Sequence, residues 1–99
     1  MKRNVPLESH ITQAIIRRLR QIPSVIVRKR HGTAFGIAGD ADLYGSIDGR
    51  HFEIEVKRPD PSSELTELQR IRLDQWRRAG AITGVARSVE DALRILGLA

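Results

Sequence analysis

Two carboxylates and a lysine near the middle of the chain carry the first hint of chemistry. Asp48-Gly49 is a dipeptide favoured in type I′ hairpin turns, because both positions tolerate positive φ, and the flanking runs 42–47 and 50–57 have strand character. A two-residue turn puts Ile47 opposite Arg50 and, counting back along both strands, Tyr44 opposite Glu53 and Asp42 opposite Glu55. Side chains facing each other in this way lie roughly 4.5–5.5 Å apart at Cβ, and like charges there repel unless something cationic sits between them. A divalent metal would answer that need. Period-2 alternation places Lys57 on the same face as Glu55, opposite Asp40. The competing reading is an ordinary solvent-facing hairpin side, since His51, Glu53, Glu55 and Lys57 alternate with Phe52, Ile54 and Val56.

Two further polar residues point the same way. At 100° per residue, Glu8 falls within about 20° of Ile15 and Leu19, at the centre of an apolar helical stripe. A charge there needs a partner, either an arginine or a metal shared with Asp42 and Glu55, unless it bends outward to complement the helix dipole. Gln69 lies on the helical face defined by Leu65, Leu73 and Trp76, and its simpler role is as the capping-box partner of Thr66. Together an inward Glu, a facing Asp/Glu pair and an adjacent Lys form an oxygen-ligand set suited to Mg²⁺ or Mn²⁺. Beside a lysine such a set suits phosphodiester hydrolysis, with Lys57 orienting water or offsetting charge in the transition state.

The elements that must position these residues follow from periodicity. Leu7, Ile11, Ile15, Leu19 and Ile22 mark an amphipathic helix over 7–22, stopped by Pro23, and Val25 to Arg30 is β-branched enough for a strand. A loop with Gly32, Gly36 and Gly39 lacks the residues of a phosphate-cradling motif and reads as a connection. After the hairpin, Pro59 and Pro61 end the second strand, and Thr66-Glu67-Leu68-Gln69 opens a helix running to Ala79 with Gly80 as its stop. A short buried strand over 81–86 and a last helix from Ser88 to near Leu96 complete an α/β order αβββαβα.

Composition sets the bounds. The 99 residues, 40% hydrophobic and 29% charged, describe one domain spanning 1–99 with a small core. No apolar run approaches the ~20 residues of a membrane span, and the charged start Met1 to Asn4 has no hydrophobic stretch behind it, so a cytoplasmic protein with no membrane partner is expected. The absence of cysteine excludes disulfides and thiolate metal sites. Lys+Arg number 17 against 12 Asp+Glu, and only Lys2, Lys29 and Lys57 are lysines, so the net charge of +5 rests on arginine, which binds phosphate through a planar fork. Arg28, Lys29, Arg30, Arg70, Arg77 and Arg78 are candidate nucleic-acid contacts, the alternative being a solvated basic face. His10, His31 and His51 read as ordinary surface or loop residues, and Trp76 as core.

The arrangement Gly39-Asp40-Ala41-Asp42-Leu43, Glu55-Val56-Lys57 and Leu65-Thr66-x-x-Gln69 resembles the VRR-NUC family of the PD-(D/E)XK nuclease superfamily, over nearly the whole chain. It is similar to the stand-alone, single-domain members found in phages and bacteria, and the resemblance implies a restriction-endonuclease-like αβββαβ(α) core with a mixed central sheet flanked by helices. It implies metal binding by Asp42, Glu55 and the main-chain carbonyl of Val56, with Lys57 as the catalytic lysine, Glu8 as the first-helix glutamate and Gln69 as the helix glutamine near the site. Ala41 departs from the pattern, standing where proline usually precedes the aspartate. Small members of this kind resemble homodimeric, structure-selective DNA endonucleases related to Holliday-junction resolvases, so branched DNA, a second copy of the chain and Mg²⁺ or Mn²⁺ are the expected partners. Two other classes compete: a non-catalytic nucleic-acid-binding module on the same fold, and a protein-interaction subunit in which Glu8 and Glu55 pair with arginines.

Overall fold

The structure, a computed structural model, describes residues 5–32 and 35–99; the charged start Met1 to Asn4 and positions 33 and 34 of the glycine-bearing loop lie outside the described residues. The elements are α1 (Glu8–Leu19), β1 (Val25–Lys29), β2 (Leu43–Ile47), β3 (Arg50–Val56), α2 (Glu67–Arg78), β4 (Ile82–Ala86) and α3 (Val89–Ile95), in the αβββαβα order expected. The first helix is shorter than its periodicity suggests. Leu7 is the N-cap and stands 53% exposed, and beyond Leu19 the chain tightens into i→i−3 bonds from Gln21 to Arg18 and from Ile22 to Leu19. Pro23 explains the tightening, because it disfavours helical backbone at the residue before it.

The strands form one mixed sheet ordered β1-β2-β3-β4, antiparallel except for the parallel pair β3 and β4. The β2–β3 turn has φ 49° at Asp48 and 81° at Gly49, the two positive values a type I′ turn requires, and the register sets Tyr44 against Glu53 and Ile47 against Arg50 as expected. Parallel pairing needs a crossover, which α2 supplies. Thr66 and Gln69 form the reciprocal capping box at its start. At its end Gly80, at φ 104°, closes a Schellman motif in which Ala81 N donates to Trp76 O and Gly80 N donates to Arg77 O.

One face of the sheet is apolar. Val25, Val27, Leu43, Ile47, Phe52, Ile54 and Val56 pack with Ile11, Ile15, Ile16 and Leu19 of α1 and with Ala92 and Leu96 around α3. Ile15 and Leu19 are wholly buried, each contributing about 1.5–3 kcal/mol. The other face of β3 is also buried but polar, with Glu53 at 0% and Glu55 at 2% exposure. The half-exposed hairpin side that alternation allowed is therefore not what forms. β3 is an inner strand covered on both faces, and its alternation separates two interiors of different chemistry.

Gly45 lets β1 and β2 approach closely, since a Cβ there would lie 1.8 Å from Ile26 O and 2.8 Å from the Phe52 ring. At Gly84 the obstacle is the Ile95 side chain at 2.6 Å, which can rotate away. Gly45→Ala is expected to cost at least the upper part of the roughly 1–3 kcal/mol typical of overpacking, and Gly84→Ala the lower part, in urea unfolding of the two variants. Equal losses would contradict this packing.

Candidate metal centre

Three elements deliver three carboxylates to one point. Asp42 lies immediately ahead of β2, where Arg30 N donates to its main-chain oxygen at 2.7 Å. On the other side its Oδ2 accepts from Val56 N at 2.9 Å, so the side chain takes the place of the next main-chain bond in the β2–β3 ladder. Glu55 projects from the last turn of the β3 pleat into the polar interior. Glu8 is the first residue of α1, where a carboxylate also suits the helix dipole. The approach to it is tied down by Arg58, whose Nε donates to Pro6 O at 3.1 Å and whose Nη2 donates to Val5 O at 3.3 Å. As a result one carboxylate oxygen from each of Glu8, Asp42 and Glu55 lies within 4.8 Å of the others.

The electrostatics of this cluster are unfavourable without a cation. Burial raises the Glu55 pKa to about 9, helped by a hydrogen bond shared with Asp42 and by the Asp42 charge; the Lys57 ammonium opposes the rise and the Glu8 carboxylate adds to it. Glu55 thus carries its proton at neutral pH and bridges to Asp42 with it. Oε2 of Glu55 is, among the described residues, the one buried side-chain polar atom with no hydrogen-bond partner. Buried polar atoms are rarely left in this state. An all-oxygen donor set with one orphaned oxygen fits a hard divalent cation, which would displace the shared proton and occupy the vacant lone pair. Asp42 also lines a cleft of about 330 Å³ between the segments at 30–32 and 36–42, which Glu8 and Glu55 do not line.

Lys57 directly follows β3. Its main-chain N donates to Ala86 O at 3.0 Å, continuing the parallel β3–β4 ladder, and its ammonium reaches Glu55 electrostatically. Gln69 is half-buried, with its Oε1 accepting from Thr66 N at 2.9 Å as capping partner. Arg28 and Lys29 are exposed. Arg70, Arg77 and Arg78 are exposed too, but Arg70 lies 3.7 Å from Glu64, and Arg77 and Arg78 both pair with Asp74.

Arg30, a candidate phosphate contact, is engaged within the chain. Its Nη1 and Nη2 donate to the two oxygens of Glu53 at 2.7 and 3.1 Å, and Nη1 also donates to Ala41 O at 2.7 Å. That hydrogen bond to Glu53 raises the arginine's pKa further. His51 is likewise no ordinary surface residue, since its Nε2 meets Glu53 Oε2 at 2.6 Å and its ring stacks on Trp76 at 4.6 Å. Glu53 itself carried no role in the sequence reading. The available signal was its period-2 relation to Glu55, but the partner just beyond β1 is paired across a loop whose length hides the β1–β2 register.

No family model matches the sequence, and no curated protein does. Solved structures share its architecture. One, described as a VRR_NUC domain, superposes with a TM-score of 0.72 at 22% identity, covering 91% of this chain and 94% of its own. Another, a VRR_NUC domain protein, gives a TM-score of 0.75 at 17% identity, over 95% of this chain and 88% of the other. The chain thus has the VRR_NUC fold that Asp42, Glu55, Lys57 and Gln69 led us to expect.

Because folding raises the pKa of Glu55 above its unfolded value of 4.5, its contribution to stability is full below that pH and is lost as pH climbs towards 9. In chelator, thermal unfolding is expected to show Tm falling across this window. Glu55→Gln, neutral throughout, flattens the fall and raises Tm at pH 8 by roughly 5 °C or more. A variant that parallels the native curve would remove the buried, protonated Glu55 from this account.

Proposed function

We propose that the protein is a Mg²⁺- or Mn²⁺-dependent nuclease that hydrolyses phosphodiester bonds in DNA. The observation that carries this reading is the convergence of Glu8, Asp42 and Glu55 around an unsatisfied buried oxygen, within a fold shared with VRR_NUC domains. Asp42, Glu55, Glu8 and the main-chain carbonyl of Val56 would hold the ion. When bound, it supplies Lewis acidity: an acidified water and compensation for charge on the phosphoryl oxygens.

The remaining chemistry belongs to the chain. Lys57, adjacent to Glu55, orients the attacking water and offsets charge as the phosphorus centre becomes five-coordinate. The capping box engages Gln69 through its carbonyl oxygen and main-chain N–H, leaving its side-chain NH₂ to hold a phosphate or the water. Arg28 and Lys29 on β1, with Arg70, Arg77 and Arg78 on α2, supply sequence-independent contacts to the backbone. Arg30 is set aside from that group by its engagement with Glu53. A homodimer with two sites about a two-fold axis would suit a pseudo-symmetric substrate such as a Holliday junction.

Labelled four-way junction, flap and linear duplex, each incubated with Mg²⁺ or Mn²⁺, are expected to be cut with preference for the branched forms, and light scattering is expected to give twice the 11.1 kDa chain mass. Asp42→Ala and Lys57→Ala each lower the rate by at least about 100-fold, and only Asp42→Ala also weakens metal binding. No cleavage of any substrate across a metal titration would refute the enzymatic reading. The protonated Glu55 adds a second check: calorimetric titration of Mn²⁺ at pH 7.5 in buffers of different ionisation enthalpy should show close to one proton released per ion, abolished in Glu55→Gln.

A further inference from the structure

Glu53 is a charge in the interior that the proposed chemistry does not use. It is 0% exposed, two residues from Glu55 on the same face of β3, and it is fully partnered by Arg30 and His51. Net stability is a poor explanation for such a pair, since apolar residues of similar volume commonly do as well or better. Its geometry is more informative.

Arg30 follows β1, and its guanidinium lies over the Tyr44 ring at 4.6 Å while gripping Glu53 with both terminal nitrogens. The same Nη1 that reaches Glu53 donates to Ala41 O at 2.7 Å, and the main-chain N of Arg30 donates to Asp42 O at 2.7 Å. The carbonyls on both sides of the Asp42 α-carbon are therefore held by one residue, whose side chain is fixed in turn by Glu53. We propose that Arg30, anchored by Glu53, is a positioning residue that sets the orientation of the Asp42 carboxylate for metal binding. His51 braces Glu53 from the other side, stacked on Trp76, whose Nε1 donates to Asp40 Oδ1 at 3.3 Å. The network thus returns to the segment carrying Asp42. Lysine cannot substitute for the fork, having one nitrogen where the contacts to Glu53 and Ala41 need two in fixed directions.

This inference rests on Asp42 being a metal ligand, and two readouts keep the two claims apart. The first is hydrogen exchange at the Val56 amide in metal-free protein, since that N–H donates to Asp42 Oδ2 and reports where the carboxylate sits. The second is Mn²⁺ affinity by calorimetry. Arg30→Lys is expected to speed exchange at Val56 relative to other β3 amides and to weaken Mn²⁺ binding about 10- to 100-fold, the range seen when partners of metal ligands are removed. Ile15→Val, a core change that lowers Tm, should alter neither. Should Arg30→Lys fail to fold, the neutral pair Arg30→Gln with Glu53→Gln removes the buried charges together and is expected to give the same two effects. Native Val56 protection together with native Mn²⁺ affinity in a folded Arg30 variant would overturn the proposal. Wild-type protein that binds no Mn²⁺ would defeat the metal reading instead, and the Val56 amide alone would then decide whether Arg30 positions Asp42.

Discussion

Three carboxyl groups crowded together at the end of a buried strand constrain the structure around them. Asp42 and Glu55 lie where like charges repel, Glu8 adds a third acid, and Glu55 is almost entirely cut off from water. A cluster of this kind persists only if its surroundings fix each member from outside. The Val56 N–H holds Asp42, the parallel ladder through Ala86 fixes the strand end that bears Glu55 and Lys57, and Arg58 holds the chain leading into Glu8. The remaining favourable term, attraction to a dication, is the one a nuclease centre would use. The crowding that makes these carboxylates poor at stabilising the fold is what the proposed ion would relieve.

Arginine has a different meaning in the folded chain from the one its number suggests. A basic, arginine-rich composition points to a polyanion, yet several guanidinium groups reach main-chain carbonyls: Arg30 to Ala41, Arg50 to Gly80, Arg58 to Pro6, Arg72 to Ala38 and Arg87 to Arg58. Each ties a loop or an element end to a distant segment. In a chain with no cysteine and a small core, the planar fork serves as a non-covalent tie between segments that could not bury enough apolar surface to hold together. Arg28 and Lys29 keep their exposure on β1.

What the sequence made legible was local. The Asp48-Gly49 turn dictated the hairpin register, and through it the juxtaposition of Asp42 and Glu55, because a two-residue turn leaves no freedom in the count. The capping box at Thr66 and the stop at Gly80 bounded α2 for similarly local reasons. Glu53 was misjudged because alternation along β3 cannot tell a solvent face from a second interior; that depends on α2 folding back and on β1 arriving across a long loop. Arg30 was expected at phosphate and His51 at the surface; their contacts to Glu53 exist only once Glu53 is buried. Helix α1 was overextended because the apolar stripe from Leu7 to Ile22 continues in sequence beyond the point where Pro23 permits helical backbone.

The tie between Arg58 and the carbonyls of Val5 and Pro6 has a practical side. It brings the segment entering α1 against the chain leaving β3, so Glu8 is located by a contact spanning 52 residues of sequence and not by its helix alone. Substituting Arg58 is thus a way to shift Glu8 while leaving every carboxylate in place.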